Sequence, residues 1–159
     1  MRRFAALTLL VGLCFVGVAA ADDAKVGGKL GDAIGMMKEK AAALGTPRAE
    51  GINLYFGATK INGNYEIVDG IKDKHGCVAT FFVKKDESFI RISTNVQKEG
   101  NRAVGTKLDP TGPAYAAVAK GEIYKGEAEI LGGKYDTIYE PIKDDKGAVA
   151  GVYFVGTPK

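Results

Sequence analysis

The sequence has little of what most enzyme chemistry needs. In 159 residues it holds one histidine, His75, and two cysteines, Cys14 and Cys77. A Ser-His-Asp or Cys-His arrangement would have to use His75, and no nucleophile elbow or other catalytic signature accompanies it. His and Cys come together only in His75-Gly76-Cys77; two ligands make a poor metal site, and the Cys-x-x-Cys-His pattern of covalent haem is absent. The acidic pairs Asp22-Asp23 and Asp144-Asp145 fall at a terminus and in a turn, where solvated charge is the ordinary explanation. The expectation is no catalytic residue, no metal and no cofactor, with Cys77 a buried strand-start residue and His75 at the surface beside it.

An excess of one charge is missing too. There are 22 basic residues against 19 acidic ones, and without Arg2 and Arg3 the basic count falls to 20, which leaves no footprint for nucleic acid. After residue 21 no apolar run approaches membrane-spanning length, and there is no internal repeat or low-complexity stretch. Gly27, Gly28, Gly31 and Gly35 superficially suggest a phosphate loop. No strand precedes them, so close packing of a helix is the better use.

What is present begins with a leader. Met1-Arg2-Arg3 is basic, residues 4–18 are apolar, and Ala19-Ala20-Ala21 is a small-residue cleavage site, so residues 1–21 read as a secretory signal and 22–159 as one domain, periplasmic or secreted. Cleavage would remove Cys14 and leave Cys77 without a disulfide partner.

Residues 25–44 predict a helix, with Leu30, Ile34, Met37, Ala41 and Leu44 in one stripe and Gly45 and Pro47 at its end. A short strand over 52–56, a turn at Asn62-Gly63-Asn64 and a second helix over 65–74, with Ile67, Val68 and Ile71 on one side and Gly76 as its stop, follow. Residues 78–83 are apolar on both faces, the mark of a strand covered on both sides. In the next strand Ile90 and Ile92 face one way and Phe89, Arg91 and Ser93 the other. A polar crossing over 95–112 contains Arg102, and Pro113 opens a helix over 114–120. Three strands close the chain at 122–131, 134–143 and 148–156. In the last, Val149, Tyr153 and Val155 face one way and Ala150, Val152 and Phe154 the other, which places it centrally beside the first sheet strand. The fold class is α+β: a long N-terminal helix and a five-stranded antiparallel sheet whose first and last strands are central.

Arg91 stands out, because a charge within an apolar strand must reach water, a counter-ion or a ligand. Ser93 shares its predicted face, Arg102 lies in the crossing, Tyr115 begins the third helix, and Tyr135, Thr137 and Tyr139 share one face of the fourth sheet strand. Tyr gives an apolar wall with a polar tip and Arg grips a carboxylate through two parallel hydrogen bonds, the ingredients of a small-molecule pocket. The competing reading makes the tyrosines core and leaves Arg91 solvated or paired with Glu140.

Several runs, taken in order, resemble a known family: Ala79-Thr80-Phe81-Phe82-Val83, Phe89-Ile90-Arg91-Ile92-Ser93-Thr94-Asn95-Val96, Arg102-Ala103-Val104-Gly105-Thr106-Lys107-Leu108-Asp109, Pro113-Ala114-Tyr115, Gly121-Glu122-Ile123-Tyr124-Lys125-Gly126, Tyr135-Asp136-Thr137-Ile138-Tyr139-Glu140-Pro141-Ile142 and Gly151-Val152-Tyr153-Phe154-Val155-Gly156. With Asn62-Gly63-Asn64 and Val68-Asp69 upstream, the set is similar to the single-Cache class of PAS-like extracellular sensor domains. The resemblance implies a domain of chemoreceptors and sensor kinases that binds small ligands, often organic acids or amino acids, between sheet and covering loops. Family sensors continue into a membrane span and a cytoplasmic module, whereas this sequence stops at Lys159. The expectation is therefore a stand-alone exported sensor for a small organic acid, with a membrane-bound partner carrying its signal in transduction of the chemotaxis kind. The alternative is an envelope accessory module whose pocket is filled by side chains.

Overall fold

A computed structural model describes residues 27–159, and the expected leader over 1–21 lies outside them. Helix α1 (Lys29–Ala42) carries the predicted stripe, burying Leu30, Ile34, Met37 and Ala41 with Ala33. Leu44 does not join it: the helix has ended, and the side chain is 37% exposed. Strands β1 (Pro47–Glu50), β2 (Asn53–Phe56) and β3 (Thr59–Lys60) form a small antiparallel sheet. Helix α2 (Glu66–His75) stops where Gly76 turns left-handed at φ 62°, a conformation that glycine reaches without a Cβ penalty.

The main sheet holds β4 (Val78–Lys85), β5 (Ser88–Thr94), β8 (Tyr124–Ile130), β9 (Gly133–Lys143) and β10 (Val149–Pro158) in the order β5-β4-β10-β9-β8, every neighbour antiparallel. The first and last strands thus lie side by side inside it, as the two-sided apolarity of both predicts. Between β5 and β8 run a hairpin, β6 (Gln97–Lys98) and β7 (Asn101–Arg102), and helix α3 (Pro113–Ala119).

Two cores flank the sheet. On one face α1, α2 and β2 cover Ala79, Phe81, Val83, Ile92, Ile138, Tyr153 and Val155. On the other, α3 and the crossing segment cover Phe82, Phe89, Tyr139, Val152 and Phe154. Two bulges break the two-residue alternation. One lies on β5 opposite Phe81 and Phe82, where Ile92 is an extra residue: Phe81 pairs with Ser93 and Phe82 with Arg91. Ser93 is thereby carried to the face of the long helices, where its hydroxyl donates to the Asn64 carbonyl, and it does not share a face with Arg91. The second lies at Val149–Gly151 of β10, so Val149 packs with the α3 core and Ala150 with the α1 core, the reverse of the expected assignment. Gly151 is needed there, since a Cβ would come 2.1 Å from the Phe82 carbonyl oxygen.

Cys77 is fully buried, as expected of a strand-start cysteine. His75 is not the surface residue expected beside it: it is half-buried, and its Nε2 is enclosed without a partner among the described residues.

Candidate functional site

The α3 core leaves space unfilled. A cavity of about 420 Å³ lies against this face, lined by Arg91 of β5, Tyr139 of β9, Ala128 and Ile130 of β8, and Leu108, Pro113 and Ala114. Charged Lys107, Asp109, Glu127 and Glu129 also border it. The Asp109 carboxyl is held below its usual range by hydrogen bonds from the Thr111 hydroxyl and amide, so it stays an anion near neutral pH.

Arg91 reaches the cavity because β5 places it beside Phe89, before the bulge. The outer edge of β5 is closed by residues 105–108: the Arg91 amide donates to the Thr106 carbonyl at 2.9 Å, the Gly105 amide to the Arg91 carbonyl at 2.8 Å and the Leu108 amide to the Phe89 carbonyl at 2.9 Å. This pairing sets Thr106 against the guanidinium, whose Nη1 donates to Thr106 Oγ1 at 2.7 Å. The guanidinium carbon lies 5.0 Å from the centre of the Phe82 ring, a cation–π contact. The side chain is neither solvated nor paired with Glu140. It is 4% exposed, and Glu140 bonds Lys38 of α1 on the opposite face.

No carboxylate lies within ion-pairing distance of Arg91 among the described residues, and its Nε has no hydrogen-bond partner. Burial lowers its pKa from the ordinary value, opposed by the nearby Tyr139 phenol. The Tyr139 hydroxyl is pushed up to about 12 by burial, so it is a neutral phenol at physiological pH. An arginine keeps its proton through such shifts, leaving a buried cation with unused donors.

Of the seven residues expected to bind ligand, Arg91 and Tyr139 line this cavity. Ser93 is on the other face. Arg102 is taken up by α2: it donates to both carboxylate oxygens of Asp69 at 2.7 and 2.8 Å and to the Thr94 carbonyl at 2.9 Å, and lies 4.1 Å from the Tyr65 ring centre. This is a clamp between the β6–β7 hairpin and α2. Tyr115 turns its hydroxyl to the Glu87 carbonyl and its ring to Phe89. Thr137 donates to the Gly126 carbonyl at 2.7 Å across the β8–β9 ladder, and Tyr135 packs against the α3 core without lining the cavity. Thr106 and Leu108 were not anticipated. Both lie in the motif-bearing run 102–109, but nothing in their spacing tells that this run returns to the edge of β5.

The Cache 3/Cache 2 fusion domain family matches residues 35–159, which takes in every element from within α1 to the end of β10. The chain belongs to the Cache family. Cache domains are extracellular sensory modules that bind ligands, and an unfilled cavity beside the five-stranded PAS-like sheet agrees with that role. No curated protein matches the chain. No helix among the described residues of this Cache domain is long and apolar enough to cross a membrane.

Proposed function

We propose that the cavity binds a small carboxylate-bearing metabolite, an organic acid in the simplest case, with Arg91 as its anchor. The observation that carries this reading is the buried guanidinium with no carboxylate partner beside about 420 Å³ of open volume. Burying an unpaired charge costs several kcal/mol, and a carboxylate ligand supplies the counter-ion and accepts from the unused donors in one step. Tyr139 contributes a neutral phenol to the same wall. The open volume weighs against a pocket filled by side chains. Binding without chemical conversion is the proposed role, exercised outside the cytoplasm after removal of residues 1–21 and relayed by a membrane-bound partner protein.

The test is calorimetric titration of acetate, pyruvate and larger carboxylates into the purified domain and into Arg91→Ala and Arg91→Lys variants. Arg91→Ala is expected to lose about 2–5 kcal/mol of binding, as for one partner of a buried charge pair. Arg91→Lys recovers only part of it, because an ammonium cannot present the planar fork. Equal affinity in Arg91→Ala and the parent overturns the assignment.

A further inference from the structure

Strand β8 borders the cavity with its outer edge open. In its register with β9, Ile130 pairs with Gly133, Ala128 with Tyr135 and Glu129 with Lys134. The Lys159 amide donates to the Lys134 carbonyl at 3.0 Å, which shows that the main chain of Lys134 points towards β10 and away from β8. Alternation along an antiparallel ladder then turns the amide and carbonyl of Glu129, and likewise of Glu127, outward from the sheet. The Glu127 carbonyl is met by the Tyr124 hydroxyl at 2.7 Å. Glu129 N–H and C=O have no partner among the described residues, although the opposite edge of the sheet, β5, is closed by residues 105–108. Glu127 and Glu129 line the same cavity as Arg91.

One wall thus offers a buried cation and another an unpaired main-chain donor and acceptor. Resting on the carboxylate reading above, we infer that the ligand carries a secondary amide as well as one carboxylate, the chemistry of an N-acyl amino acid or short peptide. Its carboxylate pairs with Arg91, and its amide adds to β8 as one link of a further strand: a trans amide turns its N–H and C=O to opposite sides, so it makes one bond here, its N–H donating to the Glu129 carbonyl. A cavity of about 420 Å³ falls within the size range of small-ligand sites.

The experiment compares propionate, N-acetyl-L-alanine and N-acetyl-N-methyl-L-alanine by calorimetry on the whole domain. N-acetyl-L-alanine is expected to bind roughly fivefold tighter than propionate, the equivalent of one net hydrogen bond, and N-methylation to abolish the gain. Glu129→Pro deletes only the outward N–H, which neither the ladder nor this bond uses, at a position where an edge strand tolerates proline, and should keep the preference for N-acetyl-L-alanine. If the N-methylated compound binds as tightly as its parent, the amide is not read and this inference falls; loss of the preference in Glu129→Pro overturns the assignment of the bond to the Glu129 carbonyl. Propionate binding that still depends on Arg91 then leaves the carboxylate reading standing. If none of the three compounds binds, both fall.

Discussion

Replacing Arg91 by methionine should stabilise the ligand-free domain while removing its anchor for carboxylates. In the parent, the buried guanidinium gives up hydration worth several kcal/mol even after relaxation. Its return is one hydrogen bond to Thr106, worth about 1.5–3 kcal/mol for a charged donor, and the Phe82 contact, worth up to about 2 kcal/mol when desolvated. Methionine keeps an apolar chain over Phe82 without the charge. Thr106 is not orphaned, because its hydroxyl still donates to the Ala103 carbonyl at 2.7 Å. The expected gain is about 1–3 kcal/mol in urea denaturation, or roughly 3–5 °C in Tm per kcal/mol for a domain of this size. Saturating carboxylate should raise the Tm of the parent and not that of the variant, since ligand at 100 times its Kd adds about 2.7 kcal/mol to a competent protein. A ligand-free Arg91→Met protein no more stable than the parent would refute the reasoning, because it would show that the folded chain already compensates the charge.

Other expectations follow from the same structure. Arg102→Ala should cost about 1 kcal/mol in urea denaturation, as for a partly exposed ion pair, and leave carboxylate affinity unchanged; a loss of affinity would return Arg102 to the site. Val152→Asp places a carboxylate at a fully buried position of the central strand and should abolish cooperative unfolding by circular dichroism, whereas a Tm within a degree or two of the parent would contradict its place in the sheet. Burial pushes Tyr139 up to about 12 and raises Tyr153 as well, whereas both ionise near 10 when unfolded. Stability from these two phenols is complete below about pH 10 and falls by about 1.4 kcal/mol per pH unit for each as the pH rises towards the folded values. Urea midpoints across that range check the slope, and a flat profile would mean that neither phenol is sheltered from solvent.

Much of the fold was legible because its elements follow the two periods that burial imposes. The α1 stripe at Leu30, Ile34, Met37 and Ala41 repeats as a helix does, and the unbroken apolarity of β4 and β10 announces strands covered on both faces. Strand β1 had no such mark. Its Pro47-Arg48-Ala49-Glu50 sequence is largely exposed, and its pairing with β2 is reinforced by the Arg48 guanidinium 4.5 Å from the Tyr55 ring centre, a contact that depends on which strand lies opposite. Arg102 misled for a similar reason: its carboxylate partner is 33 residues away on α2, and separation along the chain does not reveal it.

The bulges decide which part of the candidate site could be read at all. Alternation counts residues from a fixed point, and for β5 that point is the turn before Ser88. From there the count holds for Phe89, Ile90 and Arg91, and the structure puts Arg91 on the expected face with Phe89. One extra residue at Ile92 then reverses the parity, and Ser93 crosses to the other face. In β10 the shift had a sign in the sequence, because Gly151 interrupts an otherwise β-branched and aromatic strand and leaves room for the Phe82 carbonyl. In β5 there was none: Ile92 is an ordinary strand residue whose carbonyl accepts from the distant Gly63 amide at 3.0 Å, next to the stretch of edge that pairs with segment 105–108. That same segment supplies Thr106 to Arg91. The contact that holds the cation in the cavity and the irregularity that removed its presumed neighbour thus lie on one strand, where a long-range pairing was invisible to local pattern.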